Sequence, residues 1–320
     1  MKRLGPLLLA AAIAGACAHP AGTGDAARRG RDATGTRATN STVRATADRR
    51  GDCAACHAEI VAEHRGSYHR AAFTDATFQA SLALEAPEDR AFCVDCHAPE
   101  PDRAAGVGCA SCHGAAPHDA KVAKRPSSCA PCHEFTFDGR PELVQKTLSE
   151  HASSDFAAVA CAECHMPKRA GHRDHRFVAG HSPAAWRSAV HVDVARVVSA
   201  GAEPSVRVTL RVDAGHAFPT GDMFRRARLM IFAEAADGHI VASAERTFGR
   251  TWTSLPNGAR TQASDTRVRG AWTEAVALGE PSGAIARVRW SLVFDRVLAA
   301  RPPHVALASS DVVTEGELPW

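Results

Sequence analysis

Cys53-Ala-Ala-Cys56-His57, Cys93-Val-Asp-Cys96-His97, Cys109-Ala-Ser-Cys112-His113, Cys129-Ala-Pro-Cys132-His133 and Cys161-Ala-Glu-Cys164-His165 are five copies of one pattern, all within residues 53–165. Cys-x-x-Cys-His is a c-type haem attachment site: two thiols add across the vinyl groups, and the adjacent histidine becomes the proximal iron ligand. A zinc cluster or a redox dithiol would use Cys-x-x-Cys without the following histidine, and structural disulfides would need no fixed spacing. Here every pair carries its histidine, and the pairs use ten of the eleven cysteines. The expected cofactors are therefore five covalently attached haem c groups, with His57, His97, His113, His133 and His165 as proximal ligands.

Working outward, the chain of 320 residues has room for two domains, and an aromatic content of 6% is low for filling two ordinary cores. Porphyrin faces supply the missing apolar surface, so residues 51–183 are expected to be a mainly helical and irregular pentahaem domain. The formal charge of +3 omits the haem propionates, and nothing in the composition points to nucleic acid.

Lys2 and Arg3 precede the apolar run Leu4 to Ala16, which is too short for a membrane span and has the layout of a secretory signal. Cys17, the one cysteine outside the haem motifs, follows Ala14-Gly15-Ala16 as in a bacterial lipoprotein signal; ordinary cleavage near Ala16 or Ala18 is the alternative. Residues 1–17 are thus expected to be a lipoprotein-type signal and Cys17 a lipid anchor. Either way the chain is expected to be exported, to the periplasm or to the outer membrane as a lipoprotein. Residues 18–50 are Ala, Gly, Thr, Arg and Asp with almost no large apolar residue, which predicts a disordered tether.

Within the haem region, helices are expected over Ala58 to Phe73, Thr77 to Ala86 and Pro141 to His151. Motifs two and three lie sixteen residues apart, which predicts neighbouring haems. Glu63-His64-Arg65-Gly66-Ser67 and Glu150-His151-Ala152-Ser153-Ser154 look alike, the sign of a repeated helix end. From about Trp186 cysteine disappears and alternation begins. Val206 to Val212 and Val288 to Phe294 alternate apolar and polar residues, and Val190 to Val194, Leu229 to Ala233, Ile240 to Ala244 and His304 to Ala308 read as further strands. With turns at Asp237-Gly238 and Pro256-Asn257-Gly258, residues 184–320 are expected to form an all-β antiparallel sandwich.

Ser67-Tyr68-His69-Arg70-Ala71, Gly106-Val107-Gly108 ahead of Cys109, Cys164-His165-Met166-Pro167, and His172-Arg173-Asp174-His175-Arg176-Phe177 before Gly180-His181 resemble bacterial multihaem c-type cytochromes whose haem region is similar to the tetrahaem cytochrome of nitrifying bacteria. Gly215-His216-Ala217-Phe218-Pro219-Thr220-Gly221-Asp222 looks like the opening of the β-domain in such proteins. The resemblance covers residues 52 to 320. It departs at His64 and His151, where the family pattern has Trp, so each is either an extra ligand or a packed ring.

Once the proximal histidines are removed, and His19, His239 and His304 are set aside, nine candidates remain for the sixth iron position: His64, His69, His118, His151, His172, His175, His181, His191 and His216. The expected distal ligands are His69, His118, His175, His181 and His216. For His69, His118 and His175 the resemblance adds to the spacing. His216 would also tie the β-domain to a haem. Bis-histidine ligation without a Met ligand implies low potentials. The expected role is electron transfer between redox proteins or quinol-linked donors in the envelope; the alternative is an oxidoreductase acting on a small nitrogen or sulfur species at one open haem.

Overall fold

The computed structural model describes residues 53–85, 87, 89–113, 129–136, 142–198, 203–221, 223–254, 260–301 and 304–320. The expected signal and tether, Cys17, His118 and the turn at 256–258 lie outside the described residues. No helix among the described residues is long and apolar enough to cross a membrane.

The haem-motif region is built from short helices. They are α1 (Ala54–Arg65), α2 (Tyr68–Ala71), α3 (Ala76–Ala83), α4 (Arg90–His97), α5 (Cys109–His113), α6 (Ala130–His133), α7 (Thr147–Ala152) and α8 (Cys161–His165). Every Cys-x-x-Cys-His motif lies on or at the cap of such a helix. One helical turn puts residues i, i+3 and i+4 on one side, so both thiols and the imidazole of each motif point the same way. In α1 the backbone kinks at His57.

The helix expected over Ala58 to Phe73 is interrupted at Gly66, and Ser67 caps the next helix by accepting the Arg70 N–H at 3.1 Å. The helix expected over Pro141 to His151 is corrected. Leu143–Lys146 is a strand, β2, paired antiparallel with β1 (Glu134–Thr136), and only from Thr147 does α7 begin. The apolar spacing of Leu143 and Val144 suits a helix, but pairing with β1 and the donors of Arg250 take up this stretch of backbone as an extended chain. A small hairpin, β3 (Lys168–Arg169) with β4 (His172–Arg173), precedes α9 (Pro183–Ala189).

Beyond α9 the chain is antiparallel sheet. One sheet has the order β10-β6-β5, with β5 Val190–Val197, β6 Ser205–Val212 and β10 Gly270–Ala277. The other has the order β12-β11-β7-β8-β9, with β7 Arg226–Glu234, β8 Ile240–Ser254, β9 Arg260–Asp265, β11 Arg287–Arg301 and β12 His304–Pro319. The expected strands are present and several run longer than alternation indicated; β9 and β10 were not anticipated.

Alternation decides which faces meet. Val206, Val208, Leu210 and Val212 of β6 are buried with Ala227, Leu229, Ile231 and Ala233 of β7 and Val288, Leu292 and Phe294 of β11 in one cluster. Arg207 and Arg211 face outward, so each sheet contributes one apolar face to this core. Trp186 of α9 closes the cluster, stacked on Phe294 at 5.0 Å between ring centroids.

The long β8 and β9 reach back to the haem region. Arg250 donates to the carbonyls of Leu143, at 3.2 Å, and Val144. Glu142 accepts from Thr261 Oγ1 at 2.6 Å and from the Gln262 N–H at 3.0 Å. Val144 is buried with Met223, Phe224 and Trp252 in a second core that both regions share.

Candidate functional site

The histidines converge in pairs. His113 of α5 faces His175 with ring centroids 6.2 Å apart and planes 27° apart. His165 of α8 faces His216 at 6.1 Å and 13°. His133 of α6 meets His69 of α2 at 6.3 Å, with planes at 73°. Each pair joins a proximal histidine of a haem motif to a histidine expected on the distal side. Two imidazoles bound on opposite sides of one metal, at nitrogen distances near 2 Å, put their centroids roughly 6 Å apart. The residues therefore fit a haem iron held between them.

Hydrogen bonds set the tautomers. Nδ1–H donates to a backbone carbonyl in His97 (Ala72, 2.9 Å), His165 (Val178, 3.0 Å), His175 (Arg173, 2.7 Å) and His216 (Ala217, 3.2 Å). That leaves Nε2 as the lone-pair nitrogen, the arrangement in which an imidazole binds metal. Desolvation, reinforced by neighbouring histidines, pushes the His69 pKa down to about 4, and burial also lowers that of His216. Desolvation, with Arg225 next, pushes the His133 pKa down to about 4 as well. These imidazoles are neutral at pH 7, the ligating form.

The thiols report which motifs are neighbours. Burial, with Cys53 next, raises the Cys109 pKa, which places motif one beside motif three. A hydrogen bond with Cys96 raises that of Cys132, which places motif two beside motif four. Burial pushes Cys112 up to about 11, with Cys129 of motif four contributing. These thiol contacts join motif one to three, two to four and three to four. Once thioether bonds form, these sulfurs no longer titrate.

Phe177 lies against His69 at 4.3 Å and against His175 at 6.0 Å, edge-on to both, so one aromatic ring spans two histidine pairs. Its backbone is left-handed (φ 52°), a conformation that costs a bulky side chain about 1–2 kcal/mol.

The remaining candidates have other partners. His64 is buried and donates Nε2–H to the Val107 carbonyl at 3.0 Å. His172 Nε2 pairs with Glu63 at 3.1 Å and His191 Nε2 with Asp213 at 3.3 Å. His151 packs against Gly215, where an added Cβ would lie 2.5 Å from its Cδ2. His181 stacks on Tyr68 at 3.7 Å, and its Nδ1 is buried without a hydrogen-bond partner; burial, then Arg225, pushes its pKa to about 3. Sequence reasoning missed Glu63, whose Oε2 accepts the His175 N–H at 2.9 Å, and Glu150, whose Oε2 accepts the Ala217 N–H at 3.1 Å. The His175 N–H holds the Glu63 pKa below its ordinary value.

Gly106 explains one element of the local sequence. Its φ is +59°, and an added Cβ would lie 2.4 Å from the His69 carbonyl oxygen and 2.5 Å from that of Arg70. Val107 donates its N–H to the same His69 carbonyl at 2.8 Å. Gly106→Ala therefore strains the backbone and displaces His69. The expected outcome is a new high-spin haem signal in visible absorption with the other haems unchanged; a wild-type spectrum would contradict it.

The family model described as cytochrome c554 and c-prime matches residues 52–114, and that described as cytochrome c3 matches residues 101–178. This chain is a multihaem c-type cytochrome. Its fold is similar to a penta-heme cytochrome c552 from Thermochromatium tepidum, with a TM-score of 0.65 at 18% identity, covering 84% of this chain and 97% of that one. No curated protein matches the chain. In this cytochrome the matched segments take in all five motifs and both His69 and His175, while His216 lies beyond them in the β region.

Proposed function

We propose that this cytochrome carries single electrons between redox partners of the bacterial cell envelope through five covalently bound haems, most of them ligated by two histidines and of low potential. The observation that carries the reading is the set of three facing pairs, His113 with His175, His133 with His69 and His165 with His216. Haem, when bound, supplies the one-electron ferric/ferrous couple. The protein's residues do the rest. Cys53 and Cys56, Cys93 and Cys96, Cys109 and Cys112, Cys129 and Cys132, and Cys161 and Cys164 form the thioethers. His57, His97, His113, His133 and His165 bind from the proximal side. On the distal side, His69, His175 and His216 are supported by geometry; His181, with its unpartnered nitrogen, and His118 are carried forward from the sequence.

Neutral imidazoles on both sides exclude water and small molecules from an iron and keep its geometry nearly constant on reduction, which suits a carrier. Phe177 fills the space between two pairs and keeps water out of it. The β region is read as a sandwich domain joined to the haem domain through His216 and the shared core. Export, lipidation of Cys17 and docking to redox proteins or quinol-linked donors follow from the sequence. No role with nucleic acid is proposed.

The test is the intact mass of protein purified from its native envelope. Five haems and a diacylglyceryl group on Cys17 are expected; four haems would make one motif a decoy, and an unmodified terminus starting elsewhere would remove the anchor.

A further inference from the structure

The resemblance between Glu63-His64 and Glu150-His151 has a counterpart in three dimensions. Glu63 and His64 lie in the last turn of α1, and Glu150 and His151 in the last turns of α7. Glu63 Oε2 accepts the backbone N–H of His175, 112 residues away, while its Oε1 accepts from His172 Nε2 at 3.1 Å. Glu150 Oε2 accepts the N–H of Ala217, the residue after His216 and 67 residues away, while its Oε1 accepts from Arg267 Nη2 at 2.6 Å.

The histidine after each glutamate completes the hold. His64 fastens the Val107 carbonyl, two residues before motif three, so Glu63 and His64 grip the two sides of the His113–His175 pair. His151 packs on Gly215, directly before His216, so Glu150 and His151 flank the His216 residue of the His165–His216 pair.

We propose that Glu63 and Glu150 are paired positioning residues, each fixing the backbone of one loop-borne distal histidine, and each placing a carboxylate charge beside the backbone of that histidine. The proposal rests on the bis-histidine reading of those two pairs. Its physical basis is that a histidine on a loop is free to swing unless its backbone is held. A carboxylate accepting a main-chain N–H is among the stronger neutral-to-charged hydrogen bonds, and partners of this outer kind commonly set ligand affinity by ten- to a hundredfold. The different second partners, a histidine for Glu63 and an arginine for Glu150, show that what the two sites share is the grip on the distal loop.

The test uses the full haem-loaded protein with Glu63→Ala, Glu150→Ala, Glu63→Gln and Glu150→Gln, beside His175→Ala and His216→Ala. Carbon monoxide binding, the ferric EPR spectrum and the individual midpoint potentials are read. Each Ala variant is expected to raise the carbon-monoxide-reactive population of one haem by roughly ten- to a hundredfold, a different haem for each. The Gln variants keep an acceptor and should stay low-spin, but with one midpoint potential raised because the negative charge is gone.

Ala variants with a full haem complement and wild-type reactivity overturn the proposal. Where an Ala variant yields no haem-loaded protein, the Gln variant decides: one raised potential supports the proposal, and unchanged potentials overturn it. If His175→Ala and His216→Ala produce no high-spin haem, the ligand reading falls and the proposal with it. If they do while the Glu→Ala variants stay silent, the proposal alone falls.

Discussion

His216→Ala is expected to turn one low-spin haem into a high-spin form that binds carbon monoxide rapidly. His216 faces His165 at 6.1 Å with nearly parallel planes, and its Nδ1–H is committed to the Ala217 carbonyl, so Nε2 is the nitrogen presented. Alanine offers no donor. The loop stays in place, because Glu150 still accepts the Ala217 N–H, so the position is left open rather than refilled by a neighbour. His216→Met keeps a ligand and should instead raise one potential while the protein stays low-spin.

Were His216 the sole tie, its loss would free the β region for proteolysis between Gly180 and Trp186. The structure revises this. Arg250 on the Leu143 and Val144 carbonyls, Glu142 on Thr261 and Gln262, Thr147 Oγ1 with Thr220 Oγ1 at 2.9 Å, and the shared core hold the regions together without it. The cleavage pattern should therefore match the wild type. A silent spectrum in His216→Ala would remove His216 from the ligands.

Asp295→Ala is expected to be the most destabilising change in the β region, by about 3–5 kcal/mol, because it leaves two guanidinium groups facing each other with their shared anion gone. Asp295 is fully buried. Its carboxylate accepts from Arg226 Nε and Arg228 Nε, each at 2.7 Å, and from Ser310 Oγ at 2.7 Å, tying β7, β11 and β12 at one register position. Burial alone would raise its pKa, but the hydrogen bonds from Arg228, Ser310 and Arg226 outweigh it and hold the group below its usual value.

A depressed folded-state pKa means the contribution is complete above the unfolded value, about 3.9, and is lost as pH falls through the folded one. All five tryptophans lie from Trp186 onward, so fluorescence-detected melting reports this region. The midpoint should fall below about pH 4 in the wild type, and Asp295→Asn should flatten that fall. Equal acid sensitivity in both would assign the effect to other carboxylates.

How legible this was in the sequence depends on how local the cause is. The motif cysteines and proximal histidines are readable because the chemistry needs thiols and imidazole at i, i+3 and i+4, which a single helical turn supplies. The strands of the main core are readable because Val206 to Val212 alternates strictly. Leu143–Lys146 was misread because its conformation is imposed from outside, by β1 and Arg250. Strand β9, Arg-Thr-Gln-Ala-Ser-Asp, carries no apolar alternation and exists through its pairing with β8. Distal histidines could be named as a group from their number and neighbours. Which proximal histidine each one meets is set by contacts 51 to 64 residues apart along the chain, as between His165 and His216, His113 and His175, and His69 and His133. His64 reads as a ligand candidate until its Nε2 is seen on the Val107 carbonyl.

The most direct test of the central claim is the ferric EPR spectrum of the wild-type protein. Imidazole planes set the anisotropy of a low-spin ferric haem, and the two near-parallel pairs, at 13° and 27°, predict two ordinary rhombic low-spin signals, while the near-perpendicular pair at 73° predicts one strongly anisotropic low-spin signal. Those three signals, in equal amounts, are the expected result. A spectrum dominated by high-spin iron, with fewer than three low-spin haems, would contradict the account.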